Sequence, residues 1–217
     1  MIVQIYEVIN EDEAKKLEEL GVDHVGMLVG KGKYPREISC EKARTISNVL
    51  KKSKKVVLSI SLDEKELQEI IIKTKPDILQ IYPKENELST VKNIIKKFPK
   101  LKIMLGIAVI DEKSIDLARE YSKLADYLIL DTYKQGDNQT GATGLVHDWG
   151  ISKKIIEQIK IPVILAGGLG PDNVQEAIKK LKPYGVDSKT RTDLENNQGK
   201  DLEKVKQFVL KAKSTKI

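Results

Sequence analysis

The chain has 217 residues, 40% of them hydrophobic and 32% charged, which is typical of one globular domain with a highly charged surface. Its only cysteine is Cys40, so no intrachain disulfide can form, and no stretch approaches the roughly 20 apolar residues that span a membrane. These features, with an N-terminus unlike a signal peptide, predict a cytoplasmic protein without a membrane partner. The net charge of +6 comes mostly from lysines interleaved with glutamates, a pattern that argues against a nucleic-acid partner.

Short apolar runs alternate with amphipathic segments along the chain. The runs rich in Val, Ile and Leu predict strands at 2–6, 22–29, 55–60, 77–82, 101–109, 126–131, 163–166 and 184–188. Apolar residues at helical spacing predict helices at 10–21, 39–50, 63–73, 89–98, 111–121, 151–159, 171–181 and 201–212. The predicted N-caps are Asn10, Ser39, Asp63, Ser89 and Asp111, and Pro171 suits the first turn of the seventh helix.

This alternation determines the predicted fold. Eight strand–helix units in slightly over 200 residues predict an α/β protein, a single-domain (βα)8 TIM barrel over residues 1–217. The alternative is a doubly wound open sheet. That fold usually has fewer units and a glycine fingerprint after its first strand, where this chain has Tyr6 and Glu7.

Two loops carry groups that suit an anion. In a (βα)8 barrel, functional residues follow the C-terminal ends of strands, and phosphate commonly binds after strands seven and eight. Gly167 and Gly168 follow strand seven, and Lys189-Thr190-Arg191 follow strand eight. Glycine N–H groups beside cationic side chains can hold a phosphate, whereas the two glycines alone are also compatible with a plain turn.

Asp131 ends the apolar run of the sixth strand, Tyr127-Leu-Ile-Leu-Asp131. A carboxyl group at the rim of an apolar barrel is expected to have its pKa raised by desolvation, which suits a general acid. The alternative is a carboxylate that only accepts hydrogen bonds from the backbone.

Cys40 and the two histidines give little support for other chemistry. A thiol at a helix start could have a lowered pKa, but an ordinary helix position is favoured for Cys40. His24 and His147 are not spaced with other ligands, so no metal site is expected.

Several short motifs occur in a characteristic order along the chain. They are Pro35-Arg36, Gln80, Asp131-Thr132, Gly141-Ala-Thr-Gly144, His147-Asp-Trp149, Ala166-Gly-Gly-Leu169 and Pro183-Tyr-Gly-Val-Asp187. This ordered set, which extends over nearly the whole chain, resembles the phosphoribosylanthranilate isomerases of tryptophan biosynthesis.

The resemblance implies an Amadori-type aldose–ketose isomerisation of a phosphorylated ribosylamine, without a cofactor or metal, by a monomer or homodimer. On this basis Asp131 is the general acid, and Arg36 binds the carboxylate of the aglycone. The residues implied to contact the rest of the small-molecule phosphosugar substrate are Gln80, Tyr82, His147 and Asp187. Those implied to bind its phosphate are Gly144, Gly167, Gly168, Lys189, Thr190 and Arg191.

The sequence departs from the family at positions that carry chemistry. Tyr6 replaces the cysteine that serves as the catalytic base, and tyrosine is a poor base at neutral pH. The adjacent Glu7 is a possible substitute, although strand alternation points it away from the barrel interior unless the chain bends. The other departures are Tyr82 for a histidine, Leu105 and Ala108 for a lysine and an arginine, and Lys189-Thr190-Arg191 for Ser-Ser-Gly.

These departures leave three functions open. The first is an isomerase acting on this or a related phosphosugar, with a paralogue of changed chemistry or substrate favoured over a strict isomerase. The second is a non-catalytic phosphosugar-binding protein that lost its base. The third is a lyase or aldolase with Lys189 as a Schiff-base amine, which would require a desolvated amino group.

Overall fold

Eight parallel strands close into a barrel in the computed structural model, which describes residues 1–132, 149–196 and 198–216. Each strand pairs with its sequence neighbour, and β1 pairs with β8 to close the sheet. The strands are β1 Ile2–Ile5, β2 His24–Leu28, β3 Lys54–Leu58, β4 Ile78–Ile81, β5 Lys102–Val109, β6 Tyr127–Thr132, β7 Val163–Leu165 and β8 Gly185–Ser188. The predicted (βα)8 barrel is therefore confirmed.

A helix follows each strand in the described part of the chain. These helices are α1 Glu11–Glu19, α2 Cys40–Val49, α3 Glu64–Thr74, α4 Leu88–Lys97, α5 Lys113–Tyr121, α6 Trp149–Gln158, α7 Val174–Leu181 and α8 Leu202–Ser214. Asn10, Ser39 and Asp63 cap α1, α2 and α3 as predicted, since each side chain accepts a backbone N–H of the first turn. None of the described helices has the length and apolar character needed to cross a membrane.

Three predicted helix starts were wrong. A 3-10 turn at Glu85–Glu87 leads directly into α4, so the helix begins before Ser89. Asp111 accepts the Lys113 N–H at 2.9 Å, but Glu112 is the capping residue of α5. Pro171 lies in a turn before α7, which begins at Val174. Short turns of this kind satisfy the same N–H groups as a cap, so composition alone does not separate them.

Two hydrophobic clusters cover the two faces of the barrel sheet. The larger cluster lies between strands and helices and includes Val3, Val57 and Leu79. The smaller cluster fills the barrel interior and consists of Val56, Ile78, Met104, Ile129, Ile164 and Ala166. Because side chains alternate along a strand, the interior positions beyond this apolar layer are those nearest the C-terminal mouth.

A chain of hydrogen bonds runs through the barrel interior. His24, at the start of β2, lies 3.1 Å from Gln4 Oε1, and the Gln4 amide donates to Gln80 at 3.1 Å. Gln80 Nε2 lies 3.2 Å from the Tyr82 hydroxyl, which donates to Asp131 Oδ2 at 3.2 Å. Buried polar groups require such partners, and this chain holds the Asp131 side chain in place.

Candidate active site

A cavity of about 350 Å³ opens at the C-terminal mouth of the barrel. Its described lining includes these predicted site residues: Tyr6, Glu7, Gln80, Tyr82, Asp131, Gly167, Gly168, Asp187, Lys189, Thr190 and Arg191. Arg36 does not belong to this lining. Gly144 and His147 lie outside the described residues, so their predicted roles stay predictions.

Asp131, near the end of β6, is buried at this mouth. Burial raises the pKa of its carboxyl group to about 6, as expected from its place after an apolar run. The Thr132 N–H donates to Oδ1 at 2.7 Å and the Tyr82 hydroxyl to Oδ2 at 3.2 Å, and both bonds favour the charged form. Asp131 therefore has both a raised pKa and a hydrogen bond from the backbone. The two interpretations from the sequence, a general acid and a carboxylate bonded to the backbone, are compatible with each other.

Asp187, in β8, is a second buried carboxyl group that lines the same cavity. Burial and then the nearby charge of Asp131 raise the pKa of Asp187 to about 8. Its Oδ1 is buried and has no hydrogen-bond partner among the described residues. The mouth of the barrel thus contains two carboxyl groups that cannot readily be ionised together.

Tyr6 is the residue predicted to take the place of the family's cysteine. Burial raises the pKa of its hydroxyl well above 10, and the charge of Glu7 adds to the effect. The hydroxyl is buried and has no hydrogen-bond partner in the described part of the chain. Gly26 on β2 leaves room for the ring, since a Cβ there would lie 2.8 Å from Tyr6 Cδ2. These properties disfavour Tyr6 as a base.

Glu7 follows the end of β1 in a left-handed conformation, with φ of 62°. The chain therefore bends at Glu7. This bend lets the Glu7 side chain reach the mouth of the barrel, which regular strand alternation would not allow. Its Oε2 lies 3.2 Å from Lys189 Nζ and 3.7 Å from Arg36 Nε. The carboxylate is thus held between two cations.

Arg36 also adopts a left-handed conformation, with φ of 63°, and its side chain is buried. Its Nη1 lies 2.9 Å from Asp193 Oδ1, and its Nη2 donates to the Glu7 carbonyl oxygen. The guanidinium is directed at groups of the chain itself. Binding of an aglycone carboxylate by Arg36 stays a prediction.

A buried ion cluster joins these groups, defined here as Glu7, Arg36, Lys189, Asp193 and Lys200. Asp193 is central, because Lys200 Nζ lies 2.5 Å from its Oδ1 and Lys189 Nζ 3.2 Å from its Oδ2. Burial lowers the pKa of Lys200 to about 8, although Asp193 opposes the effect. Lys189, the candidate Schiff-base amine, lies between the carboxylates of Glu7 and Asp193. It therefore differs from the desolvated amine that the lyase alternative requires.

Asp193 and Lys200 were not predicted as site residues from the sequence. Both lie in the polar segment between β8 and α8, where neither periodicity nor a turn motif marks them. A signal that could have pointed to Lys200 is the segment Gly199-Lys-Asp201 before the last helix, which resembles the corresponding segment of the family. The place of Asp193 in the cluster depends on its contact with Arg36, more than 150 residues away in the chain.

The glycine turn after β7 has the backbone that its sequence predicts. Gly167 and Gly168 have φ of 84° and 64°, values that side chains disfavour. Asn173 pins the turn, since its amide donates to the Gly168 carbonyl at 2.9 Å and its Oδ1 accepts the Gly170 N–H at 2.8 Å. Arg191 lies beside this turn, with Nη1 at 2.6 Å from Asp172.

Gly106, in β5, is a further site residue that the sequence analysis missed. A Cβ at this position would lie 2.2 Å from Tyr82 Cε1, so only glycine leaves room for the ring that contacts Asp131. Leu105, one of the departures from the family, is buried in the cluster between barrel and helices and does not line the cavity.

Neither Cys40 nor His24 indicates a second reactive site in the described part of the chain. Burial raises the pKa of the Cys40 thiol, which agrees with the ordinary helix position favoured from the sequence. Burial lowers the pKa of His24 to about 4, which keeps it neutral. Among the described residues, no group of three or more His, Cys, Asp or Glu side chains could hold a metal ion.

A family model described as N-(5'phosphoribosyl)anthranilate (PRA) isomerase matches residues 5–211. The chain belongs to this family. It is 33% identical over 215 residues to the N-(5'-phosphoribosyl)anthranilate isomerase of Methanocella arvoryzae, and the match covers 99% of each chain. A second family member, isomerase 2 of Methanosarcina mazei, is 33% identical over 99% of this chain and 95% of its own length.

Solved structures of family members have the same barrel. The isomerase of Pyrococcus furiosus is 28% identical, with a TM-score of 0.80 over 98% of each chain. The structure from Thermotoga maritima, at 24% identity, has a TM-score of 0.84 over 98% of this chain and 99% of that one. The predicted departures from the family at Tyr6, Tyr82 and Lys189 to Arg191 meet in one cavity.

Proposed function

We propose that this protein isomerises N-(5'-phosphoribosyl)anthranilate by an Amadori rearrangement. The observation that carries the proposal is Asp131, a buried carboxyl group with a raised pKa in the mouth of a barrel from this family. A carboxyl group that is partly protonated near neutral pH can deliver a proton to a sugar oxygen.

In this reaction Asp131 protonates the ring oxygen of the ribosylamine, and the bond between C1′ and that oxygen breaks. The nitrogen lone pair forms a protonated Schiff base. Removal of the C2′ proton then gives an enaminol, which becomes the amino-ketose by moving a proton from the C2′ hydroxyl to C1′. The reaction needs one acid and one base, and no oxidant or cofactor.

The rest of the cavity suits a substrate with a phosphate at one end and an aromatic ring at the other. Gly167, Gly168, Thr190 and Arg191 are the proposed phosphate side, close to the start of α7. The apolar wall consists of Leu28, Tyr34, Leu58, Ile60 and Leu62, which follow or end β2 and β3. Gln80 and Tyr82 lie between these regions. Arg36 would reach the aglycone carboxylate only by leaving Asp193.

The cellular setting follows from composition. A chain with one cysteine is suited to a reducing compartment, which supports a cytoplasmic enzyme. We expect it to act as a monomer or homodimer.

Turnover of phosphoribosylanthranilate, generated in the assay, tests the proposal. Asp131→Asn is expected to lower kcat by about 100-fold or more, the usual contribution of an acid–base group. The matched control is Asp116→Asn, whose carboxylate is exposed on α5 and pairs only with Arg119 at 2.6 Å among the described contacts. The control is expected to retain wild-type turnover.

Either of two results would contradict the proposal. One is full activity of Asp131→Asn. The other is a wild-type protein that binds the reaction's phosphosugar product without turning over the substrate, which would favour the non-catalytic alternative.

A further inference from the structure

Asp187 is a buried ionisable group to which the reaction above assigns no proton transfer. It lies in β8 with 7% of its surface exposed, and it faces the cavity that Asp131 also lines. Its Oδ1 has no hydrogen-bond partner within the described ranges, whereas both oxygens of Asp131 accept hydrogen bonds. A buried polar atom without a partner normally requires an explanation.

The two other candidates for a base are poorly suited. The Tyr6 hydroxyl is buried and rarely ionised near neutral pH. The Glu7 carboxylate is held by Lys189 at 3.2 Å and lies 3.7 Å from Arg36, so it is already engaged by two cations of the ion cluster.

Asp187 is also buried, but its pKa of about 8 lets it ionise far more readily than the Tyr6 hydroxyl. Gln4 donates a hydrogen bond to it and Lys200 acts on it at longer range, and among the described contacts it forms no ion pair.

We propose that Asp187 is the proton acceptor of the isomerisation and replaces the cysteine whose position Tyr6 occupies. The inference rests on the proposed function and deepens it. Asp131 and Asp187 are buried in one cavity, where two negative charges repel each other strongly, so the pair retains one proton over a range of pH. A pair that shares one proton contains one donor and one acceptor.

The proton balance of the cycle follows directly. Asp187 has the higher pKa of the two and holds the shared proton in most molecules, so the reactive form is the one in which that proton has moved to Asp131. In this form Asp131 protonates the ring oxygen, and the anionic Asp187 takes the C2′ proton. The electrons of the C2′–H bond form the double bond between C1′ and C2′. The π electrons of the Schiff base C=N bond return to the nitrogen as its lone pair. The cycle leaves the proton on Asp187, and its transfer to Asp131 restores the starting state.

Two matched variants separate this role from that of Tyr6. Asp187→Asn is expected to lower kcat by about 100-fold or more, with Tyr6→Phe changing it by less than about tenfold. Wild-type turnover is expected to fall below pH about 6 as the pair gains a second proton, and above about 8 as it loses its last one. The acidic limb is expected to disappear in Asp187→Asn.

A readout independent of turnover is an NMR titration of protein labelled at its aspartates. The wild type is expected to show two coupled steps for Asp131 and Asp187, and Asp187→Asn a single step for Asp131. This comparison also verifies that the variant is folded.

The results distinguish this inference from the proposed function. An active wild type with an equally active Asp187→Asn, or a Tyr6→Phe that loses as much activity as Asp187→Asn, overturns the acceptor role alone. Two carboxyl groups that both titrate below pH about 5 also overturn it, since each would then be ionised at neutral pH. An inactive wild type overturns the proposed function and the acceptor role with it.

Discussion

The Tyr82 hydroxyl influences the charge of Asp131 through a hydrogen bond of 3.2 Å. Gln80 orients the phenol from below, and Gly106 provides space for its ring. The bond favours the ionised carboxylate and therefore opposes the increase in the pKa of Asp131 that burial causes. Tyr82, predicted to replace a histidine of the family, thus holds the Asp131 side chain in position and lowers its pKa.

Tyr82→Phe is expected to raise the pKa of Asp131 above about 6, because the charged form loses a hydrogen bond while burial remains. The shift is expected to be about one pH unit or less, the equivalent of one ordinary hydrogen bond. The pH profile of kcat measures it as a displacement to higher pH. Tyr127→Phe, at the opposite end of β6, is the control. A profile that stays in place or moves to lower pH would refute this role.

At the scale of one element, α1 shows how a local signal defines a helix that supports the site. Asn10 caps α1 directly after the bend at Glu7, with Oδ1 accepting the Glu13 N–H at 2.8 Å. The Glu13 carboxylate in turn accepts the N–H of Lys200 at 2.6 Å and so links α1 to the segment after β8. A capping residue therefore also fixes the position of the ion cluster.

Asn10→Ala is expected to lower the free energy of unfolding by about 1 kcal/mol, since the first turn loses a hydrogen-bond acceptor. Urea unfolding measures the change. The control is Asn93→Ala, which removes only a 2.8 Å bond to Glu64 at the surface and is expected to change stability by less than about 0.5 kcal/mol. Equal effects of the two variants would argue against the capping role.

At the scale of the whole molecule, the ion cluster links segments that are distant in the chain at the mouth of the barrel. It joins the segment after β1, the loop before α2 and the segment between β8 and α8. Burial alone would raise the pKa of Asp193, but Lys200 and Arg36 lower it below its ordinary value. Three cations converge on this carboxylate, which makes it the critical anion of the cluster.

Asp193→Asn is expected to lower the free energy of unfolding by about 3 kcal/mol or more, because it leaves buried cations without their counter-ion. Asp172→Asn, which breaks only the exposed pair with Arg191, is expected to change it by less than about 1 kcal/mol. Urea unfolding of both variants at neutral pH measures the difference. A mild effect at Asp193 would mean that the cluster contributes little to the stability of the fold.

The same carboxylate predicts a pH dependence of stability. The pKa of Asp193 is lower in the folded protein than in the unfolded chain, so its contribution is present above about pH 4 and is lost as the pH falls through its folded value. Acid unfolding of the wild type should include this loss, and acid unfolding of Asp193→Asn should not. Parallel acid titrations of the two proteins measure it.

The sequence by itself determined the barrel, the family and the general acid candidate. Strand periodicity and helix caps are local signals, and Asp131 can be found because it ends an apolar run. Only the tertiary structure showed that Glu7 and Arg36 lie beside each other and that Gly106 leaves room for the Tyr82 ring. It also placed Asp187 near Asp131. These outcomes depend on strand register and on the pairing of β1 with β8, which bring together residues distant in the chain. Burial and charge at the mouth exist only after that closure, so no local pattern encodes them.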